Sequence, residues 1–475
     1  MHSECSLKKW QVVKLKDIAS QIQYGYTAKA KGTETGPRFL RITDIQDDAV
    51  EWTTVPSCDI STKEKEKYLL HEGDIVFART GATVGKSYLI RGNVPEAVFA
   101  SYLIRVRLQR DIEPKYIAYF FKSHSYWRQI SERQAGIGQP NVNGSKLADL
   151  QIPLAPKEDQ KNIVAEIEKQ FSRLDEAVTA LKRIQANLKR YKAAVLKAAV
   201  EGQLTEQWRK EHPDVEPSDQ LLKRILAERR AKWEAEELAK MKVKGIKPKD
   251  DSWKKKYKEP AGPDTANLPE LPEGWVWARL DAIAALKGGI TVDKKRKDPT
   301  ARLVSYLRVA NVQRGYLDLT EMKEIEAPQS VIEELHLLPG DILFNEGGDR
   351  DKLGRGWIWE GQLAECIHQN HVFRARLHLS DVSAKLVSWW GNSFGKDYFL
   401  RVGKQTTNLA SINLSKLSEF PIPLPPVTEM YQIVEEVERR LSVTKEIETT
   451  TKTNLTRAER LRQTILKQAF SGGLG

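Results

Sequence analysis

The chain has 475 residues, of which 40% are hydrophobic and 29% charged, so it can bury sizeable cores and should divide into more than one domain. Its net charge of +12 favours a polyanionic partner, nucleic acid first and an acidic membrane surface second. It has no apolar run of about 18 residues, no signal-peptide core in MHSECSLKKW, and three cysteines too scattered for a disulfide framework or a paired metal site. We expect a cytoplasmic protein that is neither exported nor inserted into a membrane.

Residues 1–156 predict a mixed α+β domain. Short runs rich in β-branched and aromatic residues alternate with turn-forming Gly, Pro, Asn and Asp. These strand-like runs are 39–45, 73–78, 87–90 and 97–108. A stretch at 114–131 has helical spacing and interrupts them.

From residue 157 the apolar period changes to steps of three and four, which predicts a coiled-coil helix over 157–204. At 1.5 Å per residue such a helix is about 70 Å long. The prolines of IPLAP precede it, and Gly202 is placed to end it. The expected seam is Ile163, Ile167, Phe171, Leu174, Val178, Leu181, Ile184, Leu188, Tyr191 and Val195.

Residues 205–270 form a connector of different composition. An amphipathic helix is predicted over 218–241, capped by Ser218. The following segment, 240–258, carries nine lysines against two aspartates, which favours a solvated basic tether, with sequence-independent phosphate contact as the alternative.

The second half of the chain repeats the first. LRI at 40–42 returns as LRV at 307–309, Gly-Asp-Ile at 73–75 returns at 340–342, and IPLAP returns as IPLPP at 422–426. The repeat predicts a second α+β domain at 271–426 and a second helix at 427–475. Its expected seam residues are Ile433, Val437, Leu441, Leu461 and Ile465. Polar residues at 444, 448, 451 and 454 take the places of apolar seam residues, so we expect this helix to shift or loosen around 449–453.

The segments of the sequence that resemble catalytic motifs depart from the spacing or the context that those motifs require. GATVGKS at 81–87 has three residues between its glycines where a phosphate-binding P-loop has four, and the second copy lacks it, which favours a strand, a tight turn and a returning strand. CIHQNH at 366–371 lies in an alternating, strand-like run and has no second cluster of metal ligands. No motif for methyl transfer is present, and no carboxylate cluster for nuclease chemistry is shared by the two halves. Recognition remains as the function.

Polar and basic residues in Gly-containing loops suit phosphates and base edges, because Arg pairs with guanine and Asn or Gln with adenine. Loops on a shared frame are also where recognition usually resides. The candidate DNA-binding residues are Arg79, Thr80, Lys86, Gln139, Asn141, Asn143, Arg350, Lys352, Arg355, Lys404, Gln405, Thr406 and Asn408.

The order of these paired segments resembles that of the specificity subunit of a type I restriction-modification system. The resemblance rests on 70–84 and 338–354 with their Gly-Asp-Ile cores, on IPLAP and IPLPP, and on the helix ends near 196–197 and 466–467. It implies two mixed α/β target-recognition domains separated by two long antiparallel helices that form a coiled coil. It also implies a non-catalytic reader of a bipartite, asymmetric DNA target.

The same resemblance implies that the chain binds no cofactor of its own. S-adenosylmethionine, ATP and Mg would belong to partners, which are DNA methyltransferase subunits, expected in two copies, and restriction/translocase subunits. Two alternatives remain: a self-contained restriction or modification enzyme, and a coiled-coil scaffold that binds DNA without sequence preference. Methylation or cleavage by the chain alone would favour the first, and equal binding to all duplexes the second.

Overall fold

The computed structural model describes residues 10–32, 36–134, 141–292, 298–348, 352–405 and 410–474. The chain folds into two compact units. Unit 1 comprises Met1–Gln185 and Thr449–Gly475, and unit 2 comprises Ala186–Glu448. Unit 1 is therefore assembled from both ends of the sequence.

Unit 1 contains short strands, short helices, the first part of the first long helix and the last part of the second. Its strands are β1 (Gln11–Lys14), β2 (Ala19–Tyr24), β3 (Arg38–Leu40), β4 (Ile45–Gln46), β5 (Ala49–Val50), β6 (Ile75–Ala78), β7 (Ser87–Leu89), β8 (Ala97–Phe99), β9 (Leu103–Leu108) and β10 (Gln151–Leu154). Its helices are α1 (Leu15–Ile18), α2 (Thr62–Tyr68), α3 (Pro114–Phe120), α4 (His124–Gln134), α5 (Gly144–Ala148) and the first part of α6 (Lys157–Val200).

The main sheet of unit 1 has the strand order β2-β9-β6-β7, with antiparallel neighbours. β1 pairs with β10, the strand that leads into α6, and β3 pairs in parallel with β8. Val and Ile side chains on one face of β6 and β9 are buried against α3 and α4, and the opposite face of β6 is buried in a second apolar cluster.

Unit 2 contains the last part of α6, the connector, the second set of strands and the first part of the second long helix. Its helices are α7 (Glu206–Glu211), α8 (Ser218–Val243), α9 (Leu280–Ile283), α10 (Gln329–Leu335), α11 (Ala384–Ser393), α12 (Gly395–Val402), α13 (Leu414–Ser418) and the first part of α14 (Val427–Ala469). Its strands are β11 (Val276–Arg279), β12 (Ala284–Lys287), β13 (Ala301–Leu307), β14 (Val312–Gln313), β15 (Tyr316–Leu317), β16 (Lys323–Pro328), β17 (Ile342–Asn345), β18 (Gly347–Gly348), β19 (Gly356–Ile358), β20 (Ile367–His368), β21 (Val372–Leu377), β22 (Lys404–Gln405), β23 (Ala410–Ser411) and β24 (Pro421–Leu424).

The sheets of unit 2 repeat those of unit 1. The main sheet has the order β12-β21-β17-β19, β11 pairs with β24, and β13 pairs in parallel with β20. The register is also shared, because Val76 lies opposite Arg105 in unit 1 and Leu343 opposite Arg374 in unit 2. The predicted mixed helix-and-sheet fold class is confirmed.

The two long helices pair antiparallel within each unit. In unit 1 the beginning of α6 and the end of α14 share a core that includes Ile163 and Ile465. In unit 2 the end of α6 and the beginning of α14 share a core that includes Val195 and Ile433. Each long helix therefore completes a hydrophobic core in both units, which ties the helices to the sheets.

α14 keeps a continuous seam through the segment where we expected a shift or loosening. The helix is unbroken from Val427 to Ala469, so that expectation is wrong. Thr444, Thr451 and Ala458 are buried on its seam at steps of seven. Small side chains continue the heptad, and the Thr444 hydroxyl satisfies its hydrogen bond within the helix by donating to the carbonyl of Arg440, 2.7 Å away.

The connector is anchored to unit 2 by a buried carboxylate. Glu429, in the first turn of α14, accepts hydrogen bonds from the Thr205 hydroxyl at 2.6 Å and from the indole Nε1 of Trp275 at 2.9 Å. The Arg209 guanidinium donates to the same carboxylate at 2.8 Å. The start of the connector and the segment that follows its end are thus both held at the start of the second long helix.

Candidate nucleic-acid interface

The Gly-Asp-Ile motif of each unit provides a buried carboxylate for a structural ion pair. In unit 1, Asp74 receives Nε and Nη2 of Arg107, each at 2.7 Å. In unit 2, Asp341 receives Nε and Nη2 of Arg376 at the same distances. The pairing raises the pKa of Arg107, chiefly through the hydrogen bond to Asp74. The motif therefore fixes β6 to β9 and β17 to β21, and it supports the loops that follow.

A second arginine on the same strands is buried in both units. Arg105 donates to the carbonyl of Leu69 at 2.8 Å, and Arg374 donates to the carbonyl of His336 at 3.2 Å. Burial lowers the pKa of Arg105 to about 10 and lowers that of Arg374 as well. Sequence reasoning did not identify these four arginines, although an Arg-x-Arg pair in both strands was the available signal.

The structure brings together the candidates Arg79, Thr80 and Asn141 at one end of the unit 1 sheet. The backbone of Arg79 accepts from the N–H of Val142 at 3.0 Å, and Thr80 forms an antiparallel bridge with Asn141. The Arg79 guanidinium lies over the ring of Tyr24, with 5.0 Å between its carbon and the ring centroid. Tyr24 is 41% exposed. We call these four residues, together with Tyr102, the Arg79 surface.

Tyr102 belongs to this surface because its carbonyl accepts from the N–H of Arg79 at 3.2 Å. Its side chain is 62% exposed. The sequence prediction missed both tyrosines. An arginine stacked on an exposed aromatic ring is a common arrangement at nucleic-acid interfaces, because the ring stacks on bases and the cation pairs with phosphates or base edges.

Unit 2 repeats these backbone bonds with different side chains. The carbonyl of Glu346 accepts from the N–H of Ile412 at 2.8 Å, and the N–H of Glu346 donates to the carbonyl of His371 at 2.9 Å. Glu346 thus occupies the position of Arg79, and His371 that of Tyr102. The Glu346 carboxylate contacts the His371 ring at Nδ1. We call Glu346, His371 and the adjoining strands β18 and β23 the Glu346 surface.

Both surfaces contain a close backbone crossing that requires glycine. A Cβ at Gly25 would lie 2.2 Å from the carbonyl oxygen of Ala100. A Cβ at Gly289 would lie 2.0 Å from the carbonyl oxygen of His368. Glycine is the residue that permits this approach, so the strand ends leading to the two surfaces are built alike.

Asn143 caps a helix. Its Oδ1 accepts from the N–H of Lys146 at 2.9 Å at the start of α5. Asn413 does the same for Lys416 at 2.8 Å at the start of α13. Because Asn143 and Asn413 cap equivalent helices, the stability of the helix explains why asparagine occurs at both positions.

The other candidates are dispersed. Lys86 is exposed, whereas Arg355 is buried and Lys352 half-buried. Arg355 donates through Nη2 to the carbonyl of Val309 at 3.3 Å. The remaining candidates, which lie outside the described residues or have side chains outside them, are Gln139, Arg350, Lys404, Gln405, Thr406 and Asn408.

The predicted seam residues occupy three environments. Ile163, Ile167, Phe171, Leu174, Val195, Ile433, Val437 and Ile465 are buried, and Val178, Leu181, Leu188 and Leu441 are half-buried. Three of the predicted seam residues are exposed: Ile184 by 40%, Tyr191 by 44% and Leu461 by 47%. Beside Tyr191 the seam position is taken by Lys192, whose Nζ lies 2.6 Å from Glu448.

The two motifs considered for catalysis have structural roles. Gly81–Thr83 form a short 3-10 turn between the antiparallel strands β6 and β7, so the expected strand, turn and returning strand are observed. His368 is buried in β20, and its Nδ1 lies 2.7 Å from the carbonyl of Val372, to which it donates. In the described ranges no group of three or more His, Cys, Asp or Glu side chains is arranged to hold a metal ion. Nor does any described helix have the length and apolarity to cross a membrane.

Comparison with known proteins relates this architecture to one family. A family model of the type I restriction modification DNA specificity domain matches residues 7–190. The EcoKI specificity subunit of Escherichia coli (strain K12) is 24% identical over 416 residues, which cover 86% of this chain and 76% of that protein. The StySPI specificity subunit of Salmonella potsdam is 24% identical over 417 residues, with the same coverage.

Two solved structures share the fold along nearly the whole chain. A chain from a structure describing complex assembly and conformational transition of the type I R-M system has a TM-score of 0.63 at 18% identity, covering 98% of this chain and 99% of that one. The HsdS subunit from Thermoanaerobacter tengcongensis has a TM-score of 0.56 at 16% identity, covering 98% of both chains. The first two relatives are named specificity subunits of type I restriction enzymes. Residues 7–190 therefore match the DNA specificity domain of type I restriction-modification systems, and the chain as a whole is similar to their specificity subunits.

Proposed function

We propose that this chain reads a bipartite, asymmetric DNA target, with one half-site bound by each unit. The observation that carries the proposal is that the two units share the same backbone arrangement but carry different side chains in the Arg79 surface and the Glu346 surface. Arg79 and Glu346 make equivalent backbone hydrogen bonds but carry opposite charges. Two similar frames with different side chains would read different base sequences, which makes the target asymmetric.

The side chains of the Arg79 surface and the Glu346 surface suggest which bases each unit prefers. Arg79 offers a guanidinium that can donate two hydrogen bonds to O6 and N7 of guanine. Glu346 offers an acceptor that suits the N4 amino group of cytosine. The exposed rings of Tyr24 and Tyr102 would contact the sugar-phosphate backbone or the thymine methyl group beside the Arg79 surface.

We assign residues 1–156 and 271–426 to the two target-recognition domains, 157–204 and 427–475 to the conserved helices, and 205–270 to the connector. The helices act as a spacer that fixes the distance between half-sites. Their exposed side chains, such as Tyr191 and Leu461, offer contact points for partner subunits.

The partners that perform the chemistry are DNA methyltransferase subunits, in two copies, and restriction/translocase subunits. These partners would supply S-adenosylmethionine for adenine methylation, and ATP and Mg for cleavage and translocation. This chain directs them to their target on the chromosome, so the protein acts in the cytoplasm.

Selection from a pool of random-sequence duplexes with the full-length chain, alone and bound to its methyltransferase subunits, tests the proposal. We expect the enriched duplexes to share two short base clusters separated by unspecified bases. Enrichment of one contiguous motif would overturn the bipartite model. No enrichment by either form would overturn sequence recognition itself.

A further inference from the structure

The connector carries a concentrated positive charge at its far end. Residues 240–258, which we call the connector tip, contain nine lysines and two aspartates, a net charge of +7 by count. Seven of the lysines are exposed, and the described part of the chain provides them with no ion pair. They are Lys242, Lys244, Lys247, Lys249, Lys255, Lys256 and Lys258. The duplicated architecture has no counterpart of this segment elsewhere in the sequence.

The connector tip is folded back onto α8, contrary to the tether predicted from its composition. Trp253 is buried and stacks on Trp233, with 6.0 Å between ring centroids and 23° between ring planes. Arg229 donates to the Tyr257 hydroxyl at 2.6 Å, and its guanidinium lies 5.2 Å from the centre of that ring. This aromatic clasp holds the returning chain against the helix.

A glycine-ended helix reverses the chain at the connector tip. Gly245 has a φ of +68°, and the N–H of Ile246 donates to the carbonyl of Met241 at 2.9 Å. This is the hydrogen-bond pattern of a Schellman end, which fixes where α8 stops. The lysines on both sides of the turn are consequently displayed on an ordered structure, so ordering them on a partner costs less entropy.

α8 runs beside β12 of the same unit. Ile225 packs in the core, and Arg229 donates to the carbonyl of Asp281 at 3.0 Å, just before β12 begins. One to two turns later, Trp233 and Glu236 line a groove with Leu286, near the end of β12. The helix therefore advances in the direction of β12, whose continuation leads to the crossing at Gly289.

We infer that the connector tip binds the phosphates of duplex DNA, without reading bases, beside the half-site of unit 2. This inference rests on the proposed function. Lysine is a compact point charge without the fork geometry that reads guanine, whereas duplex DNA presents one phosphate charge per about 1.7 Å of axis. Binding of this kind adds affinity to every sequence equally and increases the salt dependence of association.

The test compares the full-length wild-type chain with Lys242→Gln/Lys244→Gln/Lys247→Gln/Lys249→Gln. Two probes are used: a duplex enriched in the selection described above and an unrelated duplex of equal length. Affinity is measured for both over a range of salt concentrations. We expect the variant's slope of log affinity against log salt to be shallower by about two to four, at about one per lysine in phosphate contact. The ratio of affinities for the two probes should stay unchanged.

Two further variants serve as controls. The four Lys→Arg changes at the same positions keep the charge and should preserve the wild-type slope. Val243→Ser/Ile246→Ser removes the exposed apolar side chains of the connector tip, which an acidic protein partner would use, and should also preserve it. Near-wild-type circular dichroism of the glutamine variant would show that the chain still folds.

The outcomes separate this inference from the proposed function. A wild-type chain that binds both probes equally would contradict sequence recognition. If the wild type discriminates between the probes and the glutamine variant keeps its slope, the connector tip does not contact DNA. In that case weaker association of the glutamine variant with a partner subunit would assign it to protein binding.

Discussion

Arg209 and Glu429 form an ion pair 220 residues apart in the sequence, at a position where the carboxylate is fully buried. Nη2 and Nε of Arg209 lie 2.8 and 3.1 Å from the same oxygen. Nη2 also donates to the carbonyl of Gly202 at 2.7 Å. The pair joins the end of the first long helix to the start of the second within unit 2, so its loss should loosen the connector at its base.

We expect Glu429→Ala to lower the free energy of unfolding by about 3–5 kcal/mol, because the Arg209 charge then stays buried without its partner. Urea unfolding followed by tryptophan fluorescence measures the change. The exposed pair Glu206 and Lys210, also 2.8 Å apart, provides the control. Glu206→Ala should cost at most about 1 kcal/mol. Equal losses in the two variants would show that Glu429 is not an anchor.

Asp74 and Asp341 should stabilise their own units independently. We expect Asp74→Asn to cost about 2 kcal/mol, since Arg107 loses charge-assisted hydrogen bonds but stays partly hydrated. Hydrogen exchange should become faster in β6 and β9 and remain unchanged in β17 and β21. Asp341→Asn should give the reverse pattern. If either substitution made hydrogen exchange faster in the strands of both units, the two carboxylates would not stabilise their units independently.

Substituting the charged residue of the Arg79 surface should change the base sequence that the chain prefers in one half-site only. Arg79→Glu replaces a donor with an acceptor, so we expect the enriched base cluster assigned to unit 1 to lose its guanine preference at one position. Substituting a residue in base contact typically costs about 1–3 kcal/mol. Selection from the random pool measures this change, with Lys63→Glu as an exposed control in α2. If both half-sites changed, Arg79 would not be a reader of one half.

Burial of histidine predicts a pH dependence for unit 2. Desolvation lowers the pKa of His368 to about 4 from an ordinary value of 6.5. The unfolded chain therefore binds the proton first, and stability falls as the pH drops from 6.5 toward 4, by roughly 3 kcal/mol for this group. The difference in unfolding free energy between wild type and His368→Asn should shrink over that range. If this difference did not depend on pH, His368 would take up its proton in the folded chain as easily as in the unfolded chain. As a control, hydrogen exchange in β6 of unit 1 should not change between wild type and His368→Asn.

The spacer role predicts a change of target geometry. Removing 178–184 from α6 and 452–458 from α14 deletes one heptad from each helix and preserves the seam. The helices shorten by about 10 Å, so we expect the preferred gap between half-sites to shrink by about three base pairs. Selection from the random pool measures the gap. Deleting 178–184 alone is the control, which should disrupt pairing. An unchanged gap in the double deletion would contradict the spacer role.

The repeated frame was predictable because its signals are local. Gly-Asp-Ile, the Ile-Pro-Leu segments and the heptads each report on a few neighbouring residues, and they correctly indicated a duplicated helix-and-sheet fold. The Asp74–Arg107 pair was not predictable in the same way, since it depends on the register of two strands. Asn143 was predicted as a base reader, yet its side chain caps α5, a role that the Asn413 repeat could have indicated.

The connector shows why composition alone was insufficient. Its lysines indicated solvation, and they are exposed, but Trp233 and Trp253 bind the segment into an ordered clasp. The loosening expected in α14 was wrong for a related reason. Polar threonine is compatible with a seam when the hydroxyl bonds within its own helix, as it does at Thr444.

Sequencing the adenine methylome of host cells with and without this gene tests whether the chain reads a bipartite target. We expect that deleting the gene removes methylation from one motif, composed of two different half-sites separated by unspecified bases. Reintroducing the chain with Arg79→Glu should change only one half of that motif. A methylome that is unaffected by the deletion, or the loss of a contiguous motif, would contradict the account.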